Sequence, residues 1–163
     1  MKIGILSDSH DNLPALERIV ERFNAESVDL VLHAGDFVSP FTAVPLSRLR
    51  APLVGVFGNN DGDRPYLVRR YEGIGTLHAG VHTFEVDGLR VILMHQPRSI
   101  DGLAASGEHD LIVYGHTHQV DLRVAPDGPV VINPGEAGGW LTGHSTAALF
   151  DTRTRAADLL SVR

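Results

Sequence analysis

The sequence contains no cysteine, which excludes disulfides and every thiolate metal site at once. Nor does any apolar run approach the roughly 20 residues that a membrane-spanning helix requires. Residues 3–6 are apolar, yet the run breaks at once into Ser7-Asp8-Ser9-His10, so no signal peptide is expected. Basic residues are scarce: 14 Lys and Arg against 20 Asp and Glu give a formal charge of −6. A chain of that sign repels polyphosphate backbones, and binding to long nucleic acid is not expected. Cations bound locally would offset part of the charge and leave a small anionic substrate acceptable. Internal repeats, linkers and low-complexity segments are also absent. What remains, 163 residues with 43% hydrophobic content, reads as one globular domain, 1–163, cytoplasmic and without membrane attachment. A homo-oligomer is compatible with the sequence but not specified by it.

The first half alternates short apolar runs with amphipathic segments. Ile3-Gly4-Ile5-Leu6 predicts a buried strand, and Asn12 is a good N-cap for a helix with Pro14 in its first turn. Leu13, Leu16, Ile19, Val20 and Phe23 then recur at helical spacing. Residues 29–33 and 53–57 predict two more strands, with a less regular helix at 40–49 between them. Strands alternating with helices imply a parallel sheet. Beyond residue 80 the pattern changes. His82 to Val86 and Leu89 to Met94 flank Asp87-Gly88, a strong hairpin signal. Residues 99–106 predict a short helix and 111–114 a buried strand. Two antiparallel pairs follow, at 120–124 with 130–132 and at 146–150 with 156–162. A parallel half followed by an antiparallel half predicts an α/β fold with two sheets face to face and helices outside.

Five separated clusters offer metal-ligand chemistry in a fixed order: Asp8-Ser9-His10, Gly35-Asp36, Gly58-Asn59-Asn60-Asp61, His95 and Gly115-His116-Thr117-His118. Together they supply two aspartates, one asparagine and four histidines, enough for two divalent cations sharing a bridging carboxylate. Oxygen and imidazole donors without thiolate suit manganese, iron, nickel, cobalt or zinc better than an all-oxygen magnesium or calcium cage. Each cluster directly follows a predicted strand, where ligands bind in α/β sheets. Taken alone, Asp8-Ser9-His10 also reads as a helix-capping loop, Gly35-Asp36 as a turn and His95 as a core histidine. The combination points to metal-assisted phosphate ester hydrolysis. His33 reads either as a residue orienting the ligands or as a core histidine with a backbone partner. Arg64, Arg69, Arg70 and Arg98 read first as solvated surface residues and second as phosphate contacts. His78, His82, His109 and His144 have no recognisable spacing, and Trp140 reads as a pocket wall or a cover for the core.

In their order and spacing these blocks resemble the calcineurin-like metallophosphoesterase superfamily. Within it the chain is most similar to the small bacterial and archaeal phosphodiesterases, a subgroup that includes a retromer scaffold subunit. The resemblance runs from Asp8 to the Asn133-Pro134-Gly135 turn. It implies a two-sheet β sandwich flanked by helices, the four-layer αββα arrangement. It also implies that Asp8, His10 and His118 hold one metal, that Asn59, His95 and His116 hold the second, and that Asp36 bridges them. Two divalent ions per chain are expected, manganese first, with nickel, cobalt, iron or zinc as substitutes. Hydroxide bridging the two would be the nucleophile on a small phosphodiester. Asp36, Asn59 and Asp61 stand as the candidate catalytic residues.

Three positions depart from the superfamily pattern. Many larger relatives carry a histidine where this chain has Asn60, although the small-enzyme subgroup also lacks it and keeps an acid next, here Asp61. Pro97 stands where many have a second histidine, and Glu136 replaces the serine of Asn-Pro-Gly-Ser. The first two changes remove proton donors, so esters with good leaving groups should be favoured. Glu136 alters the substrate side of its turn. Competing expectations are a phosphomonoesterase or nucleotide pyrophosphatase on the same metals, and a non-catalytic protein-binding scaffold on the same fold.

Overall fold

The computed structural model describes residues 1–162. Strands β1 (Lys2–Leu6), β2 (Leu30–His33), β3 (Leu53–Val56) and β4 (Gly75–His78) run parallel, and β10 (Ser145–Asp151) and β11 (Ala157–Val162) extend the sheet antiparallel beyond β1. The first sheet thus has the order β11-β10-β1-β2-β3-β4. The second contains β5 (His82–Val86), β6 (Leu89–Leu93), β7 (Leu111–Val113), β8 (Val120–Val124) and β9 (Val130–Pro134) in the order β5-β6-β7-β9-β8. Among the described residues four α-helices accompany the sheets: α1 (Leu13–Ala25), α2 (Ala43–Leu46), α3 (Arg64–Arg70) and α4 (Ile100–Ser106).

Three apolar layers explain the stacking. Leu16, Ile19, Val20 and Phe23 of α1 bury against Leu6, Val31 and Leu53 of the first sheet. The alternate residues of those strands, among them Ile3, Ile5, Leu30 and Leu32, face Val91, Leu93, Leu111, Val113 and Ile132 of the second sheet. Ile92, Met94, Ile112, Tyr114 and Val131 on the far face take Leu103 and Ala104 of α4. The two-residue side-chain period of a strand sends alternate residues to different layers. This is the expected αββα arrangement. Each fully buried large side chain contributes about 1.5–3 kcal/mol to it.

Local signals act as their chemistry dictates. The Asn12 side chain accepts from the Ala15 amide at 3.2 Å, with Pro14 in the first helical turn. Asp87 and Gly88 both take positive φ, 50° and 76°, which matches the twist of the strands they join. Three expectations need correction. The helix at 40–49 is a 3₁₀ turn at Pro40–Thr42 followed by the four-residue α2, because Pro40 and Pro45 interrupt the helical hydrogen bonding. The second half is mixed: the expected pairs β5–β6, β8–β9 and β10–β11 are antiparallel, but β6, β7 and β9 run parallel to one another, and the C-terminal pair joins the first sheet. Elements α3 and β4 were not anticipated from the sequence. Only Leu67 of α3 is buried, and β4 is a four-residue edge strand without a buried face.

Candidate metal centre

All five clusters emerge from carboxyl ends of strands: Asp8 after β1, Asp36 after β2, Asn59 after β3, His95 after β6 and His116 after β7. The loops are stitched together by backbone. The Asp8 amide donates to Gly35 O at 2.9 Å, and the His10 amide to Asp36 O at 3.1 Å. Five of the candidate residues take left-handed φ: Asp8 (54°), His10 (41°), Asp36 (59°), His116 (70°) and His118 (59°). Such a backbone costs a non-glycine residue about 1–3 kcal/mol and persists only where surrounding contacts over-determine it.

One half of the site gathers around Asp8. Its Oδ2 accepts from Ser7 Oγ (2.6 Å) and from the His116 amide (3.0 Å). Its Oδ1 has no hydrogen-bond partner and faces His118 Nε2 at 3.5 Å and His10 Nε2 at 3.8 Å. The His10 and His118 rings stack at 5.1 Å. The nearby Asp8 carboxylate raises the His10 pKa, aided by Asp36 and opposed by burial.

The other half gathers around His95. Its Nδ1 must donate to the Ala34 carbonyl at 2.8 Å, so in the neutral ring Nε2 carries the lone pair. That nitrogen faces Asn59 Oδ1 at 2.9 Å, His116 Nδ1 at 3.3 Å and Asp36 Oδ2 at 3.4 Å. Burial opposes charge on His95, but Asp36 outweighs it and the pKa rises. Asp36 Oδ2 also stands 3.5 Å from His10 Nε2, between the two halves. Burial would raise the Asp36 pKa, yet His95 and the Asn60 donors hold it well below the carboxylate range.

These donors suit a divalent cation. The buried Asp8 Oδ1 and the ring nitrogen His10 Nε2 lack hydrogen-bond partners, which native proteins rarely tolerate. Next to them, a neutral His95 would point a lone pair at two oxygens. A cation among these atoms would resolve both problems. Ligand atoms of Asp8, His10 and His118 lie within 4.8 Å of one another, as do those of Asp8, Asp36 and His95. The second grouping differs from the expected Asn59, His95 and His116, although Asn59 and His116 both touch His95 Nε2.

Asp61 does not face the cluster openly. Its Oδ2 accepts from the Gly58 (2.6 Å) and Asp36 (3.2 Å) amides, and its Oδ1 from the Val38 amide at 2.7 Å. Burial raises its pKa against these hydrogen bonds. His33 is fully buried. Its Nδ1 accepts from the Gly35 amide at 3.1 Å, so Nε2–H donates to Ser9 Oγ at 3.2 Å. Burial, followed by His95, pushes its pKa down to about 3. Both readings of His33 thus meet in one residue, a core histidine whose backbone partner belongs to a site loop.

Sequence reasoning missed three contributors. Asn60 clamps Asp36, its amide donating to Oδ1 at 2.8 Å and its Nδ2 to Oδ2 at 2.7 Å. Asn133 Nδ2 donates to Gly115 O (3.1 Å) and Thr117 Oγ1 (3.0 Å), propping the histidine turn. Buried Glu136 faces His118 Nδ1 at 3.3 Å and accepts from the Trp140, Leu141 and Thr142 amides. Asn60 and Glu136 were visible only as departures from a pattern. Asn133 carried the turn motif as its single signal. Arg69 and Arg70 lie in the last turn of α3. His78 and His82 stack at 3.5 Å on the β4–β5 side.

Fold and site together define a metal-dependent phosphoesterase architecture, and the known families agree. Residues 1–155 match the calcineurin-like phosphoesterase superfamily domain, and the chain belongs to that family. It is 39% identical over 159 residues to a phosphodiesterase of Methanocaldococcus jannaschii, covering 95% of each chain. The solved structure of an archaeal phosphodiesterase superposes with a TM-score of 0.92 at 36% identity, covering 99% of this chain and all of that one. The vacuolar protein sorting 29 structure of Cryptosporidium parvum, at 19% identity and a TM-score of 0.66 over 98% and 95% of the chains, shares the fold. The phosphodiesterase relatives support a phosphoester hydrolase, and the family implies divalent metal ions. No helix among the described residues is long and apolar enough to cross a membrane.

Proposed function

We propose that this chain, acting as one domain over residues 1–163, hydrolyses small phosphodiesters with two divalent cations, manganese foremost. One observation carries the reading: Asp36 Oδ2 stands between His10 Nε2 and His95 Nε2, at 3.5 and 3.4 Å, with unpartnered Asp8 Oδ1 beside it. Asp8, His10 and His118 would hold one ion, Asn59, His95 and His116 the other, and Asp36 both. Bound there, the ions would supply Lewis acidity toward the phosphate and a water of lowered pKa.

The chain's own groups prepare that chemistry. Ser7 Oγ and the His116 amide spend Asp8 Oδ2 and leave Oδ1 directed into the site. The Ala34 carbonyl fixes the His95 tautomer so that Nε2 faces the centre. Asn60 keeps Asp36 ionised and in place. Asp61 joins the Asp36 and Asn59 loops and acts as a positioning residue. Asn60 carries a carboxamide, which is no general acid, and its donors are held by Asp36, so this position supplies no proton to a leaving group. Diesters of acidic alcohols are therefore the favoured substrates.

The test is hydrolysis of bis-p-nitrophenyl phosphate by chelator-stripped protein, with manganese, nickel, cobalt, zinc or magnesium restored singly. Turnover should require a cation and fall at least about 100-fold in Asp36→Asn and His116→Ala, as for loss of charge stabilisation at a reacting centre. Absence of turnover with every cation, in folded protein, would overturn the reading in favour of a binding scaffold.

A further inference from the structure

Beside the candidate centre lies a cavity of about 320 Å³ that shares Asn59 and His95 with it. Its size is that of a small-molecule site. Phe57, Val81 and Met94 give it apolar walls, Arg64 and Arg98 stand on its rim, and no Asp or Glu lines it. In a chain of charge −6, a wall bearing two guanidiniums and no carboxylate is a local reversal of sign.

Neither charge is spent on a counter-ion. Arg64 Nη2 donates to Gly58 O at 2.8 Å and Nε to Asp61 O at 3.4 Å, and its guanidinium lies 5.2 Å from the Phe57 ring centroid. All these partners are neutral, so Arg64 is oriented but not neutralised. Arg98 follows the His95-Gln96-Pro97 turn and forms no ion pair among the described residues. Preorganised guanidinium next to an apolar wall suits a flat organic body carrying an anion.

Resting on the phosphodiesterase reading, we propose that this cavity selects diesters in which one alcohol arm carries a second phosphate, with Arg98 and Arg64 as the specificity-determining residues. The apolar walls take the body of that arm, and the scissile phosphate stays at the Asn59–His95 edge. This goes beyond hydrolysis of a simple diester, where a single monoanionic phosphate would leave both guanidiniums idle.

Two substrates separate the claim from its parent. They are the p-nitrophenyl ester of thymidine 5′-phosphate and the same ester with a 3′-phosphate, compared by kcat/KM. The wild type should prefer the 3′-phosphorylated ester by about ten-fold or more, the worth of one charge-assisted contact. Arg98→Gln and Arg64→Gln should each bring that ratio toward one. Arg50→Gln, at the amino end of β3 and away from the site, should keep it. A wild-type ratio near one, or a preference that survives both cavity variants, overturns the proposal while leaving hydrolysis intact. Should no ester turn over, the functional reading falls, and calorimetric binding of thymidine 3′,5′-bisphosphate decides the cavity separately. Binding weakened about ten-fold in Arg98→Gln supports it, and equal binding overturns it.

Discussion

A single uncharged imidazole ties two loops of the centre together. His33 must stay neutral to accept from Gly35 while donating to Ser9, and burial lowers its pKa from 6.5 to about 3. In the unfolded chain the ring protonates near its ordinary value. Protons are thus taken up on unfolding at every pH between the two, and acid favours the unfolded state. The stability that His33 contributes is complete above about 6.5 and erodes as pH falls toward 3. Between pH 7 and 5 this one group should cost about 2 kcal/mol. His33→Asn keeps an acceptor for the Gly35 amide and cannot titrate. Urea unfolding of metal-free protein should therefore show a smaller acid loss in the variant by about that amount. Equal losses in the two proteins would mean that the buried ring gains its proton without unfolding.

At the scale of elements, glycine decides how closely loops approach. A Cβ at Gly58 would collide with Asp36 Oδ1 and sit 2.6 Å from the Asp36 amide nitrogen. Gly58→Ala should displace the Asp36 carboxylate while β3 survives. Manganese affinity by titration calorimetry should fall about ten-fold or more, with an unchanged far-ultraviolet spectrum. Unaltered affinity would mean that the loop yields more readily than its packing suggests. Elements with a continuous buried stripe, such as α1 and β1 to β3, were legible in the sequence because burial imposes periodicity. So were the five clusters that meet at the candidate centre, since each follows a legible strand. Helix α3 had a cap signal in Asp63, whose side chain accepts from the Tyr66 amide, but a single buried residue gives no period. Edge strand β4 offered still less. The pairing of the second sheet depends on which strands become neighbours in space, and that is not written in any one strand.

On the scale of the molecule, Asp8, Asp36, Asp61 and Glu136 are all buried near one point in a chain already at −6. Buried carboxylates are costly unless paired or metal-bound, so cation binding and folding should be strongly linked. A cation at about 100 times its dissociation constant adds roughly 2.7 kcal/mol, which for a domain of this size raises Tm by about 5–10 °C. Calorimetric scans with manganese against chelator should show that rise in the wild type and little of it in Asp36→Asn. An equal Tm in both conditions would show that the carboxylates are satisfied without an ion.

Trp140, the chain's sole tryptophan, is 64% exposed. Its backbone amide is held by Glu136 at 2.8 Å, and its indole Nε1–H donates to the His10 carbonyl at 2.9 Å. The protein therefore carries one indole chromophore, tethered at both ends to groups that border the centre. Its emission is in effect a built-in gauge of the His10 loop, free of background from any other indole.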